Sequence, residues 1–105
     1  MKRIILVVIC LIFPFTTIAN ETSNVSIKKF KFIPQEITVK KGTKVRWTNN
    51  EKRQYHSVWF EVSGDPEPEY FFPEEFYERE FNKTGTFPYF CGPHPEMTGT
   101  VTVID

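Results

Sequence analysis

Phe90-Cys91-Gly92-Pro93-His94-Pro95-Glu96-Met97 sets a thiol, an imidazole and a thioether at positions i, i+3 and i+6. Two prolines and a glycine in eight residues argue against a helix, since proline lacks an N–H and its ring clashes with the preceding turn. The stretch therefore reads as a tight loop. Thr86–Phe90 leads into it as a strand, and Gly99–Ile104, alternating through Val101 and Val103, leads away as another. A loop held at both ends by strands directs its three soft donors to one place. The set lacks a second imidazole, and the other histidine of the chain is His56, 35 residues upstream of Cys91.

Working outward from this loop, the rest of the chain is also strand-like. Val25–Phe32 reads as a first strand in which Val25 and Ile27 share one parity and Phe30 and Phe32 the other, the pattern of a bulge or sharp bend. Glu36–Lys40 and Thr43–Asn49 alternate around Lys41-Gly42, which predicts a hairpin with Ile37, Val39, Val45 and Trp47 inward. After the polar run 49–54, Tyr55–Val62 reads as a strand with His56 at its start, and Phe76–Phe81 as a further one. Residues 63–73 hold Gly64, Pro66, Pro68 and Pro73 among acids and aromatics, and predict a long loop pinned by Tyr70, Phe71 and Phe72. Seven or eight short strands without helical periodicity predict an all-β, antiparallel sandwich in one domain.

Met1-Lys2-Arg3, an apolar run from Ile4 to Ile18 and the small-residue end Thr17-Ile18-Ala19 predict an export signal over residues 1–19, with the domain at 20–105. The run is short for a membrane span and is broken by Pro14, so no stable membrane insertion of the mature chain is expected. Removal of 19 of the 105 residues leaves 86, with eleven basic and thirteen acidic side chains and a net charge of −2. That charge does not point to nucleic acid. It is unevenly placed: residues 28–53 carry nine Lys/Arg against two Glu, and residues 61–80 carry eight Asp/Glu against Arg79 alone. The acids from Asp65 to Glu80 are either a solvated face or a means of steering a basic partner.

The mature chain retains one cysteine, two histidines and one methionine. Each has a plain structural explanation on its own, because single buried cysteines and methionines are usually core filler and single histidines usually solvated or structural. Their spacing gives them another meaning. An exported thiol without a disulfide partner is open to oxidation unless a metal occupies it. Thiolate, two imidazoles and a thioether make a soft donor set, unsuited to calcium or magnesium, with no special use of the thioether by zinc, and matching the ligands of blue-copper centres.

The residues Val39-Lys40-Lys41-Gly42-Thr43-Lys44-Val45-Arg46-Trp47-Thr48-Asn49, His56-Ser57-Val58, Thr84-Gly85-Thr86-Phe87-Pro88-Tyr89-Phe90-Cys91, His94-Pro95, Met97 and Gly99-Thr100-Val101 together resemble the cupredoxins of plastocyanin, pseudoazurin and amicyanin type. The Cys-x2-His-x2-Met spacing is most similar to amicyanin. This resemblance implies a Greek-key β-sandwich and one copper ion cycling between Cu(I) and Cu(II). It implies His56, Cys91 and His94 in the trigonal plane and Met97 as the axial ligand. It also implies that the Ser57 amide donates to the thiolate, while Pro93 occupies the place of a second amide donor and has no N–H to give. The exit for electrons would be the outer edge of His94, set among apolar residues that include Pro93 and Pro95.

The implied function is a periplasmic, monomeric carrier of single electrons between redox proteins such as a cytochrome or a copper or quinone oxidoreductase. A copper-binding protein for tolerance or delivery is the alternative, and a metal-free sandwich used in adhesion a third reading. An enzyme is not expected, since four protein ligands leave no open coordination position.

Overall fold

In the computed structural model, which describes residues 21–105, seven strands make up the regular structure: β1 (Thr22–Lys28), β2 (Lys31–Ile33), β3 (Glu36–Lys40), β4 (Thr43–Asn49), β5 (Phe76–Phe81), β6 (Gly85–Phe90) and β7 (Thr98–Ile104). The expected signal segment lies outside the described residues. One sheet has the order β2-β1-β4-β5 and the other β3-β7-β6, and the chain passes repeatedly between them. This is the Greek-key sandwich expected, with no helix among the described residues.

The pairing is mixed rather than antiparallel throughout. β1 runs parallel to β4, with Val25 opposite Trp47, and β3 runs parallel to β7, with Val39 opposite Val103. The hairpin expected around Lys41-Gly42 does not form, because β3 and β4 belong to different sheets. The turn amides explain the crossing: Lys41 N–H donates to Ile104 O at 2.7 Å and Gly42 N–H to Phe81 O at 2.7 Å, one acceptor in each sheet. Both apolar faces still meet the same core, which is why the alternation of residues 36–49 is unaffected.

The parity change at residues 27–30 proves to be a complete reversal. β1 and β2 form a hairpin in register Lys28↔Lys31, and its two loop residues, Lys29 and Phe30, both have positive φ (53° and 58°). A two-residue hairpin loop favours this conformation, yet it ordinarily calls for glycine or asparagine. Here the Glu51 carboxylate accepts both loop amides, Lys29 N–H at 3.1 Å and Phe30 N–H at 2.9 Å.

Tyr55–Val62 is not a regular strand. Its backbone makes only two isolated bridges, His56↔Phe71 and Trp59↔Phe90. His56, Ser57, Val58 and Phe60 are all buried, so the segment threads between elements instead of alternating on a sheet face. The following loop is pinned by fewer aromatics than expected: Phe71 is buried, but Tyr70 and Phe72 are exposed. Other ties complete the anchoring. Trp59 Nε1 donates to Asp65 O at 2.9 Å, and the Asp65 carboxylate pairs with Arg79.

Val25, Ile27, Val45 and Trp47 from the first sheet meet Val39, Tyr89, Val101 and Val103 from the second. Trp47 lies at the centre, in edge-on contact with Phe60 and Tyr89 at ring separations of 6.0 and 5.3 Å. Each such buried side chain contributes about 1.5–3 kcal/mol. This core carries the rigid platform from whose end the ligand-bearing loop projects.

Candidate metal centre

Cys91 directly follows β6, and Met97 directly precedes β7. Between them the backbone folds on itself: Cys91 N–H donates to Met97 O at 3.0 Å, His94 N–H to Cys91 O at 3.2 Å and Met97 N–H to His94 O at 2.9 Å. Three loop amides are thus satisfied inside the loop, which fixes its shape without a helix. His56 reaches it from the threaded segment, held in place by reciprocal bonds with Phe71 at 3.1 and 2.9 Å.

One nitrogen of His56, one of His94 and the sulfur of Cys91 all lie within 4.8 Å of one another. The Nδ1 atoms of His56 and His94 stand 3.5 and 3.6 Å from Cys91 Sγ. His56 and Cys91 are wholly buried, Met97 nearly so, and His94 is partly exposed. Folding therefore gathers three of the residues expected from sequence into one cluster and buries the fourth, Met97, at the loop's end.

Two residues hold the cluster from behind. Ser57 N–H points at Cys91 Sγ from 3.4 Å, and its hydroxyl accepts the Gly92 N–H at 2.9 Å, so it ties the threaded segment to the loop at two points. Glu51 is the residue that sequence reasoning missed. Its Oε2 lies 3.0 Å from His56 Nε2, which occupies the outer nitrogen and leaves Nδ1 facing the sulfur. A histidine that binds metal generally gives its other N–H to a carboxylate or carbonyl, and Glu51, five residues before His56, was the signal available. Asn49 sets the path of this connection. Its Nδ2 donates to Gln54 O at 2.9 Å and Phe71 O at 3.1 Å, and its Oδ1 accepts Glu51 N–H at 3.0 Å.

Burial pushes the Cys91 thiol above its usual range, against the Ser57 amide. Burial pulls the His56 imidazole below its usual range, against Glu51. Burial alone would raise Glu51, but the Phe30 amide, His56 and the Lys29 amide together hold it low. The cluster thus contains a neutral imidazole and a shielded sulfur. A soft cation suits it, because it can take the place of the thiol proton and repay the sulfur's lost solvation. The donors fit copper by type, and no carboxylate belongs to the cluster.

Around His94 the surface is aromatic. The Phe30 ring meets the His94 ring edge-on at 5.0 Å and His56 at 5.8 Å, while Tyr55 approaches His94 at 6.2 Å. Phe30 owes this position to the hairpin loop that Glu51 stabilises, so one carboxylate places both the buried imidazole and the ring that covers it.

Residues 19–104 match the family of copper binding proteins described as the plastocyanin/azurin family. The chain is 38% identical over 86 residues to amicyanin-alpha of Methylorubrum extorquens, covering 78% of this chain and 71% of that relative. It is 34% identical over 84 residues to plastocyanin of Scenedesmus fuscus, covering 69% and 85%. The crystal structure of amicyanin from Paracoccus versutus superposes with a TM-score of 0.72 at 35% identity, over 78% of this chain and 80% of that one.

Proposed function

The chain belongs to the plastocyanin/azurin family of copper-binding proteins, and on that premise we propose that it is an exported, periplasmic carrier of single electrons between redox proteins. The ligands in this reading are His56, Cys91 and His94, with Met97 as the weak fourth, and the segment 1–19 is the export signal. The observation that carries it is the convergence of one sulfur and two ring nitrogens within 4.8 Å at a buried loop end. Bound copper would supply the one-electron Cu(I)/Cu(II) couple.

The chain's own residues supply what such a couple needs. The closed loop and the Ser57 clasp hold the donors in one arrangement, which keeps the geometric change between redox states small. Burial of His56 and Cys91 excludes water from the donors. His94 alone among the cluster reaches the surface, so its outer ring edge is the route to a partner.

Optical and EPR spectra of the copper-loaded protein test the assignment. An intense visible charge-transfer band that disappears in Cys91→Ala is the expected result; its absence in the native protein would overturn the reading. A copper-loaded protein that keeps the band but exchanges electrons with no redox partner would point instead to copper tolerance or delivery.

A further inference from the structure

The loop of residues 63–73 is anchored on both sides of Glu67. Before it, Trp59 Nε1 donates to Asp65 O and the Asp65 carboxylate pairs with Arg79. After it, Phe71 exchanges backbone bonds with His56. Pro66 and Pro68 flank Glu67 and restrict the backbone on each side of it. The span between the anchors brings the Glu67 side chain onto the ligand loop, where its Oε2 stands 2.9 Å from the place that a Cβ on Gly92 would take. Ser57 Oγ lies 2.8 Å from the same point, and the Tyr70 hydroxyl donates to that Glu67 oxygen at 3.5 Å. Gly92 thus does more than shape the loop: its missing side chain admits a carboxylate beside the residue that follows Cys91.

A second carboxylate belongs to the loop itself. Glu96 directly precedes Met97 and is open to solvent. Burial is the chief reason that the Cys91 thiol lies above its usual range, and Glu96 adds to that rise, so its field reaches the sulfur. Lys31 lines the same cleft as Glu96 and Met97. Even so, neither Glu67 nor Glu96 forms an ion pair among the described residues, whereas Asp65 is paired with Arg79 and Glu78 with Arg46 and Lys44.

We propose that Glu67 and Glu96 set the reduction potential of the centre, by holding two unpaired negative charges against the two ends of the ligand loop and so stabilising the oxidised metal. The proposal rests on the electron-carrier reading and concerns the same centre. With one thiolate and two neutral imidazoles as donors, the centre carries one net positive charge with Cu(II) and none with Cu(I). A nearby carboxylate therefore stabilises the oxidised form and leaves the reduced form almost unaffected. The reduced carrier becomes the stronger electron donor. Both acids are exposed, so salt must weaken their effect.

Voltammetry of the copper-loaded protein tests this. Glu67→Gln and Glu96→Gln should each raise the potential, so that the equilibrium constant for oxidising a reference one-electron couple grows about fivefold, or about 40 mV at 59 mV per tenfold. Glu67→Asp, which keeps the charge, should restore most of the native value. Glu21→Gln, at the other end of β1, should change little. The shifts should shrink between roughly 10 mM and 1 M salt, as the screening length falls from about 30 to about 3 Å. Competition with chelators gives an independent readout: each Gln variant should lose more affinity for Cu(II) than for Cu(I). An unchanged or lower potential in both Gln variants, or an equal rise in Glu21→Gln, would overturn the proposal. Either result with an intact visible band removes the potential-setting role alone, whereas a native protein without the band removes the electron-carrier reading and this proposal with it.

Discussion

Glu51 Oε2 lies 3.0 Å from Nε2 of His56, and the same carboxylate accepts the amides of Lys29 and Phe30. One side chain thus joins a strained hairpin loop to a buried imidazole. Neither function is performed by another carboxylate among the described residues.

Glu51→Ala should therefore have two effects. Leaving the loop amides and the imidazole without their acceptor should cost about 1–3 kcal/mol of stability. The freed His56 ring should lower copper affinity by about 10–100-fold. Glu51→Gln, which keeps an acceptor, should retain most of the stability while still shifting the reduction potential. Denaturant midpoints and competition with a copper chelator check the first variant, and voltammetry the second.

Pro93 offers no N–H at the loop position two residues after Cys91, and Ser57 supplies the amide directed at the sulfur, from 3.4 Å. An amide donor drains electron density from a thiolate and favours the reduced metal. Pro93→Ala should raise the reduction potential. An unchanged or lower value by voltammetry would count against this account.

Gly99 and Tyr89 form a tight pair, because a Cβ on Gly99 would overlap the Tyr89 ring and hydroxyl. Tyr89 is buried and cannot swing away, so Gly99→Ala should destabilise the fold by about 1–3 kcal/mol through overpacking. Burial pushes the Tyr89 phenol up to about 12, and its hydroxyl makes no hydrogen bond of ordinary geometry. Tyr89→Phe should accordingly leave the thermal midpoint unchanged or raise it, since no buried bond is lost.

The metal-free protein should lose stability in acid in two stages. His56 titrates below its usual 6.5, chiefly because it is buried, so the unfolded chain binds that proton first as pH falls through 6.5. Glu51 titrates below its usual 4.5, and protonation of the unfolded chain below that value withdraws a second contribution. Both contributions are fully present above pH 6.5. Urea midpoints measured across this range check the profile, and Glu51→Gln should abolish the lower stage.

The ligand loop was legible because its donors are rare residues at fixed local spacing, and the strands β3, β4, β5 and β7 because alternation survives whichever sheet a strand joins. Sheet membership was not legible at Lys41-Gly42, where the acceptors of the turn amides lie some forty to sixty residues away at Phe81 and Ile104. Nor was the hairpin at Lys29-Phe30, since two non-glycine residues in a left-handed turn depend on a carboxylate twenty residues downstream. Tyr55–Val62 looked like a strand because its composition is strand-like, yet its pairing partners, Phe71 and Phe90, belong to different parts of the fold. The aromatic triplet 70–72 shows the same limit: composition gave three rings but not which of them faces water.

The parallel pairings have a consequence for how the protein assembles. β1 must wait for β4, and β3 for β7 more than sixty residues later, while His56 and Cys91 are separated by 35 positions. A topology dominated by such distant contacts folds slowly, on the millisecond to second scale, because loop closure precedes any reward. The donor atoms converge only when both sheets have docked. Uptake of the ion then follows docking of the two sheets, and a bound ion, which links His56 to Cys91 across 35 positions, stabilises the folded state by mass action.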